Sequence, residues 1–314
     1  MWKILVNDGM ESEGVLALQS LGFKVDCNNI PQNELNEKLP FYDGIIVRSA
    51  TKVRTELIDV CPDLKFIARG GVGMDNIDVE YARQKGIEVI NTPAASSRSV
   101  AELAMAHILC CSRGLHISNR ELQNKDSFTS LKKQFASLCE IKSKTLFLIG
   151  FGRIGKELAK MAIGSEMKVV VYDPYISNPV VDFEFNGNQI AVSLPQVELA
   201  DGFSIADYIS IHTPFVGQPI LTKSEFEQMK QGVIIINTSR GENINESDLL
   251  DAIEAGKVKF AGLDVYKDEP NISSNIIFHR LISKSPHIGA STQEAQARIA
   301  LELVEKIDNY YNSK

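Results

Sequence analysis

The sequence predicts an α/β protein of two Rossmann-like or flavodoxin-like parallel-sheet domains joined by two long crossover helices, with an active site in the cleft between the domains. Three observations lead there. Short β-branched runs alternate with helical patterns almost from end to end of the 314 residues. The alternation runs twice, interrupted by a long helical stretch at 96–123. A second long helical pattern closes the chain. The length suits about two domains of ordinary size.

The first series reads as four buried strands, "WKILVN", "GIIVRS", "KFIARG" and "IEVINTP". Between them lie the helical pieces "MESEGVLALQSLG", "RTELIDVC" and "DNIDVEYARQKG". Near-continuous apolar strands separated by helices imply parallel βαβ units with both sheet faces covered. The stretch 96–123 opens with a predicted capping box, Ser99-x-x-Glu102. From residue 144 come "KTLFLIG", "KVVVYD", "YISIHTP", "VIIINTS" and "FAGLDVY". The closing helix is predicted over 291–312, again with a capping box, Ser291-x-x-Glu294. That helix can return to the first domain, so the expected division is 1–97 plus 290–314 as one domain and 98–289 as the other.

Composition narrows the function. A net charge of −7 and a pI near 5.4, with no Lys/Arg-rich block, argue against a nucleic-acid footprint. No run of about 18 apolar residues occurs, so no membrane span is expected. Cys27, Cys61, Cys110, Cys111 and Cys139 show neither C-x-x-C nor zinc spacing. We therefore expect no metal, reduced thiols and a cytoplasmic protein.

The second series opens on "LFLIGFGRIGKELA", where Gly150, Gly152 and Gly155 form G-x-G-x-x-G between a strand and a helix. The first glycine allows the tight turn and the second a close approach of backbone to a pyrophosphate. The third permits close helix–strand packing, and the helix N-terminus offers N–H groups to the anion. Asp173, 18 residues past Gly155, ends the next strand before Pro174. A carboxylate there accepts from a ribose diol and repels a 2′-phosphate, which favours NAD over NADP.

In an open parallel sheet, ligands lie beyond the carboxyl ends of the strands. That rule selects His212-Thr213-Pro214, Asn237-Thr238-Ser239-Arg240-Gly241, Asp264 with Glu269, and Ser285-Pro286-His287. One arginine, an acid and two histidines thus compete for roles. Histidine is matched to proton transfer near neutral pH, an adjacent carboxylate would favour its protonated form, and arginine can clamp a carboxylate at two points. His107, His116 and His279 read as packing or surface residues. For a substrate anion, Arg48 with Ser49 closes one strand of the first series, and Arg69 stands beside the glycine-rich turn 70–73, whose N–H groups can form an anion nest.

In order along the chain, "VRSATKV", "RGGVGMDNID", "NTP…SVAEL", "GFGRIG", "VYDP", "HTP", "INTSRG", "LDVYKDEP" and "PHIGASTQEAQ" resemble the D-isomer-specific 2-hydroxyacid dehydrogenases, and among them the phosphoglycerate-oxidising branch. The resemblance covers about residues 40–300. It implies a catalytic set of Arg240, Glu269 and His287, with His287 as acid–base, Glu269 tuning it and Arg240 orienting the substrate. It implies an NAD site lined by Gly150, Gly152, Arg153, Ile154, Gly155, Asp173, Pro174, His212, Thr213, Pro214, Thr238, Ser239, Asp264, Gly289 and Ala290, with Asp264 near the nicotinamide carboxamide. Arg48, Ser49, Arg69, Gly71, Val72 and Gly73 would hold the anionic end of the acid.

The expected activity is NAD-dependent oxidation of 3-phospho-D-glycerate to 3-phosphohydroxypyruvate, the entry to serine synthesis. The alternatives are a hydroxypyruvate or glyoxylate reductase and, in another class, an NAD(H)-sensing corepressor-type module. Two loops depart from the family pattern, "AASSRS" after Pro93 and "GENINE" after Arg240. The resemblance also implies a homodimer, in which residues 118–143 reach across and Lys132 or Lys133 meets a partner's substrate phosphate. A chain ending at Lys314 would lack an appended regulatory domain.

Overall fold

A computed structural model of the chain describes residues 1–184 and 186–314. The chain divides into two compact units, Met1–Ser97 with Ala290–Lys314, and Arg98–Gly289. Each is α/β with a parallel sheet.

The first unit carries β1 Lys3–Val6, β2 Lys24–Asp26, β3 Gly44–Val47, β4 Phe66–Arg69 and β5 Glu88–Asn91. All are parallel, in the order β2-β1-β3-β4-β5. This sheet has five strands where the sequence pattern predicted four. The missing one, "KVD", is a three-residue edge strand with no buried side chain, so it has no apolar signature. Successive residues face opposite sides of the sheet. Leu5, Ile45, Val47 and Ile67 enter one core cluster, and Ile4, Val6, Ile46 and Phe66 the other. The closing helix Gln293–Asn312 supplies Ile299, Leu303, Val304 and Ile307 to the second cluster, which ties the two ends of the chain into one unit.

The second unit carries β6 Thr145–Ile149, β7 Lys168–Tyr172, β8 Val180–Phe185, β9 Asn188–Ser193, β10 Tyr208–Ile211, β11 Val233–Asn237, β12 Val258–Leu263 and β13 Ile282–Lys284. Six of them form a parallel sheet in the order β13-β12-β11-β10-β6-β7, and β8 and β9 form a separate antiparallel hairpin. The short edge strand β13 and the β8–β9 hairpin were not anticipated from periodicity. The helix Ser97–Arg113 lays Ala101, Ala104, Met105 and Ile108 against Leu146, Leu148 and Ile236, while Phe147, Ile149, Ile211 and Ile235 line the opposite core. The chain moves from β6 outward to β7 and then back past β6 to β10. The switch point is therefore the crevice beyond the carboxyl ends of the neighbouring strands β6 and β10, where such folds bind ligands.

Three local expectations are corrected. The stretch 96–123 is two helices, Ser97–Arg113 and Leu115–Glu121, because Gly114 takes φ +62° and breaks the axis. Ser99 does not cap: the helix starts at Ser97, so Ser99 lies within its first turn. Its hydroxyl donates to the Gly289 carbonyl at 2.7 Å, and Glu102 pairs with Arg98 at 2.7 Å. The closing helix is capped one residue later than predicted, by Thr292 Oγ1 accepting from Ala295 N–H at 3.2 Å. All five cysteines are free thiols. Among the described residues no helix is long and apolar enough to cross a membrane.

Candidate active site

The second unit gathers Arg240, Asp264, Glu269 and His287 from three strand ends. Asp264 follows β12, and its groups hold the loop after β13. Its main-chain carbonyl accepts from His287 N–H at 2.8 Å. Its carboxylate accepts from Ile288 N–H and Gly289 N–H, each at 2.9 Å, and from the Ser285 hydroxyl at 2.6 Å. These bonds fix His287 at φ +53°, a left-handed conformation that costs a non-glycine residue about 1 kcal/mol.

The imidazole so presented places Nδ1 2.7 Å from Glu269 Oε2. The other oxygen, Oε1, accepts from Tyr266 N–H at 2.8 Å, so the carboxylate is aimed by backbone. The His287 side chain is 49% exposed, which leaves Nε2 as the ring atom available to a substrate. The Glu269 hydrogen bond raises the His287 pKa above its ordinary value. Partial burial opposes that rise, the charges of Glu269 and Asp264 reinforce it, and Arg240 opposes it. Burial pushes Glu269 up, yet its pKa is lowered on balance by the His287 hydrogen bond and charge, by Tyr266 N–H and by Arg240.

Arg240 sits where β11 ends, with Nη1 donating to the Ser239 carbonyl at 2.7 Å and its own carbonyl accepting from Asn237 Nδ2 at 2.8 Å. The residue after it must be glycine: a Cβ on Gly241 would lie 2.0 Å from the Tyr266 carbonyl carbon. That close approach brings the Arg240 loop against the loop carrying Glu269.

His212, the rival histidine, is different. Its Nε2 lies 2.9 Å from Ser210 Oγ, Nδ1 is buried without a hydrogen-bond partner, and burial lowers its pKa to about 4. It stays neutral at physiological pH, and no carboxylate pairs with it among the described residues. The two histidines are thereby separated: one has a carboxylate and an open nitrogen, the other a serine and a core.

At the switch point the glycine loop has the form a dinucleotide needs. Gly150 takes φ +93°, and a Cβ there would meet the His212 carbonyl at 2.8 Å. A Cβ on Gly155 would lie 2.5 Å from the Gly150 oxygen, so the helix Arg153–Gly164 can pack on its turn only with glycine there. Gly152 caps that helix and faces open space within 4 Å, with Arg153 exposed and Ile154 half-buried beside it. The first-turn N–H groups have no partner within the helix. Asp173 accepts from Phe151 N–H at 2.8 Å and Tyr175 N–H at 2.9 Å, and each oxygen keeps a lone pair for a ribose hydroxyl. The Thr213 and Thr238 hydroxyls are buried without a partner beyond β10 and β11. Pro174 is exposed, Ser239 Oγ donates to Asn237 Oδ1 at 2.8 Å, and the Ala290 carbonyl, in the first unit, accepts from Gln296 at 2.7 Å.

In the first unit, Arg48 follows β3. Asp8 accepts from Arg48 N–H at 2.7 Å and Thr51 N–H at 3.0 Å, and Asn76 Nδ2 donates to the Arg48 carbonyl at 2.9 Å. The 70–73 turn is tied at Gly71 by Thr92 N–H and at Val72 by Asn91 Nδ2. Arg69 lies over Gly71, where a Cβ would be 2.3 Å from its Nη1. Ser49 and Val72 are exposed and Gly73 is half-buried. Sequence reading did not find the Asp8 and Asn76 supports. They act through loop backbone, and a polar residue after a strand has no distinctive spacing.

The family model described as "D-isomer specific 2-hydroxyacid dehydrogenase, NAD binding domain" matches residues 105–289. The chain belongs to the D-isomer-specific 2-hydroxyacid dehydrogenases. A hydroxypyruvate reductase of Thermotoga maritima is 40% identical over 312 residues, covering 98% of this chain and 97% of that protein. A D-3-phosphoglycerate dehydrogenase of Archaeoglobus fulgidus is 37% identical over 98% of this chain but 57% of its own length, so the chain spans little more than half of that relative. Among solved structures, TT0316 of Thermus thermophilus superposes with a TM-score of 0.85 at 26% identity, covering 99% of this chain and 97% of that one. The holo D-mandelate dehydrogenase of Rhodotorula graminis shares the fold at a TM-score of 0.86 and 24% identity, over 98% and 93% of the two chains. This D-2-hydroxyacid dehydrogenase is an NAD-dependent enzyme acting on small 2-hydroxy or 2-oxo acids, and the glycine loop, Asp173 and the unpartnered threonines fit its cofactor.

Proposed function

We propose that the enzyme interconverts 3-phospho-D-glycerate and 3-phosphohydroxypyruvate, with His287 as the acid–base. The observation that carries the chemistry is the 2.7 Å His287–Glu269 contact, which leaves Nε2 open. Bound NAD supplies the hydride acceptor. As C2 loses hydride, its hydroxyl proton passes to His287 Nε2 and the C2–O bond becomes a carbonyl. The Glu269 carboxylate offsets the positive charge that the imidazolium acquires, and in reduction the same proton returns. Arg240 would hold the substrate carboxylate at two points, which lysine cannot reproduce. Arg48, Ser49, Arg69 and the turn Gly71-Val72-Gly73 would hold the phosphate end. Two arginines beside a backbone nest support a substrate that carries a second anionic group besides its carboxylate. We further propose that the enzyme is a cytoplasmic homodimer formed through residues 118–143, where Lys132 and Lys133 are exposed.

A second reading, reduction of hydroxypyruvate, is supported by the 40% identical Thermotoga maritima reductase, which matches over nearly its whole length. Purified protein assayed with NAD on 3-phosphoglycerate, and with NADH on hydroxypyruvate and glyoxylate, separates the two. Arg48→Gln should raise KM for the phosphorylated acid about tenfold or more and leave glyoxylate nearly unchanged, a loss of about 1.4 kcal/mol or more. Equal penalties on both substrates would assign the enzyme to unphosphorylated acids.

A further inference from the structure

We infer that His107, on the helix Ser97–Arg113, is a positioning residue for the catalytic histidine loop, acting through the Ser285 hydroxyl on Asp264. The inference deepens the proposed role of His287 and rests on it.

The contacts form one buried chain within the second unit. Ser285 Oγ donates to Asp264 Oδ1 at 2.6 Å. His107 Nε2 lies 3.0 Å from the same Ser285 oxygen, and His107 Nδ1 lies 3.0 Å from Ser283 Oγ. A hydroxyl has one hydrogen, and Ser285 spends it on the carboxylate. Its oxygen must then accept from His107, so Nε2 carries the hydrogen. Nδ1 is left as an acceptor facing Ser283, whose one hydrogen can go to it or to Cys110 Sγ, 3.5 Å from the same oxygen. The acceptor at Asp264 thereby sets the direction of the Ser285–His107 bond and with it the ring tautomer. Burial, the largest influence on His107, lowers its pKa against the opposing charge of Asp264 and keeps the ring in this neutral form.

What the chain fixes is the frame of the active-site loop. The same Asp264 oxygen that takes the Ser285 hydroxyl also takes Ile288 N–H, and the other oxygen takes Gly289 N–H. Asp264 could keep its hold on that loop with a different tilt if Ser285 were free to rotate. His107 removes that freedom. The arrangement also explains a glycine in β12: a Cβ on Gly262 would lie 2.6 Å from His107 Cβ, so the helix approaches the strand only because none is there. Ser283 and Ser285 are two apart and project from the same side of the β13 segment, which is why a single imidazole can span both.

The test compares His107→Phe, His107→Gln, Ser285→Ala and the His107→Phe/Ser285→Ala double variant in steady-state kinetics of the full chain, with His287→Ala as reference and circular dichroism to confirm folding. Phe fills the ring volume without hydrogen bonds, whereas Gln offers an N–H at about the reach of Nε2. We expect His107→Phe to lower kcat about tenfold with little change in KM, because misorientation of a catalytic group costs turnover before affinity. Gln should restore most of that loss. The double variant should lose no more than either single one, since both cut the same chain. Losses that multiply, equal effects on kcat and KM, or no rescue by Gln would overturn the inference. If His107→Phe does not fold, Ser285→Ala decides alone: a selective fall in kcat supports the chain and normal kcat overturns it. Nitrogen NMR of the ring reads the Nε2–H tautomer without any turnover, and an Nδ1–H form would also overturn it. Retained turnover in His287→Ala would instead sink the proposed acid–base and leave the NMR result standing by itself.

Discussion

His287 and His212 are the same side chain in the same fold with opposite prospects, and the difference is one carboxylate and one degree of burial. Glu269 raises the pKa of the first, while burial lowers the second to about 4. With His287 as the proposed base, oxidation needs it neutral, so the rate should fall as pH drops through this raised pKa. Replacing Glu269 with Gln removes the largest raising influence, and the acid limb of the kcat/KM profile should move to lower pH. The maximal rate should also fall about 100-fold, since the imidazolium formed in the reaction loses its partner. A pH–rate profile of Glu269→Gln with the limb unmoved would separate Glu269 from the proton transfer. Most of this site was legible in the sequence, because Arg240, Glu269 and His287 each follow a strand at the end where ligands bind. His107 was not: a lone histidine on an apolar helix face gives no sign of its partners, and its two serines lie 176 and 178 residues away.

At the scale of elements, the glycine loop separates two requirements that sequence pattern merges. Gly155 is a packing glycine, since a Cβ would lie 2.5 Å from the Gly150 oxygen. A Cβ on Gly152 would meet no protein atom within 4 Å beyond its chain neighbours, so packing does not require a glycine there. Gly155→Ala should therefore destabilise the unit by about 1–3 kcal/mol through overpacking, visible as a lower Tm without cofactor. Gly152→Ala should leave the cofactor-free Tm unchanged and weaken NADH binding in calorimetry. The reverse pattern would mean that the cofactor does not approach this turn. The same physics explains which elements the sequence showed. Strands buried on both faces, such as Val233–Asn237, appear as unbroken apolar runs. The edge strand Lys24–Asp26 and the hairpin strand Asn188–Ser193, without buried residues, give no such run. Helix starts were misplaced by one or two residues because Ser, Thr and Glu cluster there, and backbone geometry selects which one caps.

At the scale of the molecule, the chain's division assigns different work to its two units. The first is closed by both chain ends, with Leu303 and Ile307 of the last helix sharing a core with Ile4 and Val6. The second holds the glycine loop, the unpartnered threonines and the Arg240, Glu269 and His287 group. If residues 98–289 bind the dinucleotide, ligand binding must stabilise that unit by mass action. At 100 times Kd the gain is about 2.7 kcal/mol. Hydrogen exchange with and without saturating NADH should then show slowed amides at 150–155 and in the strand ends before Thr213 and Thr238. Amides in the buried strands Ile4–Val6 and Gly44–Val47, which open only with their own core, should be little changed. Equal protection of both sheets would show that the units open as one cooperative body, and protection confined to the first would reverse the assignment. Asp173→Ala sharpens the measurement. It removes the proposed ribose acceptor together with its contacts to Phe151 N–H of the glycine loop and to Tyr175 N–H, so the NADH-dependent protection should shrink in the second unit while the first keeps its exchange pattern.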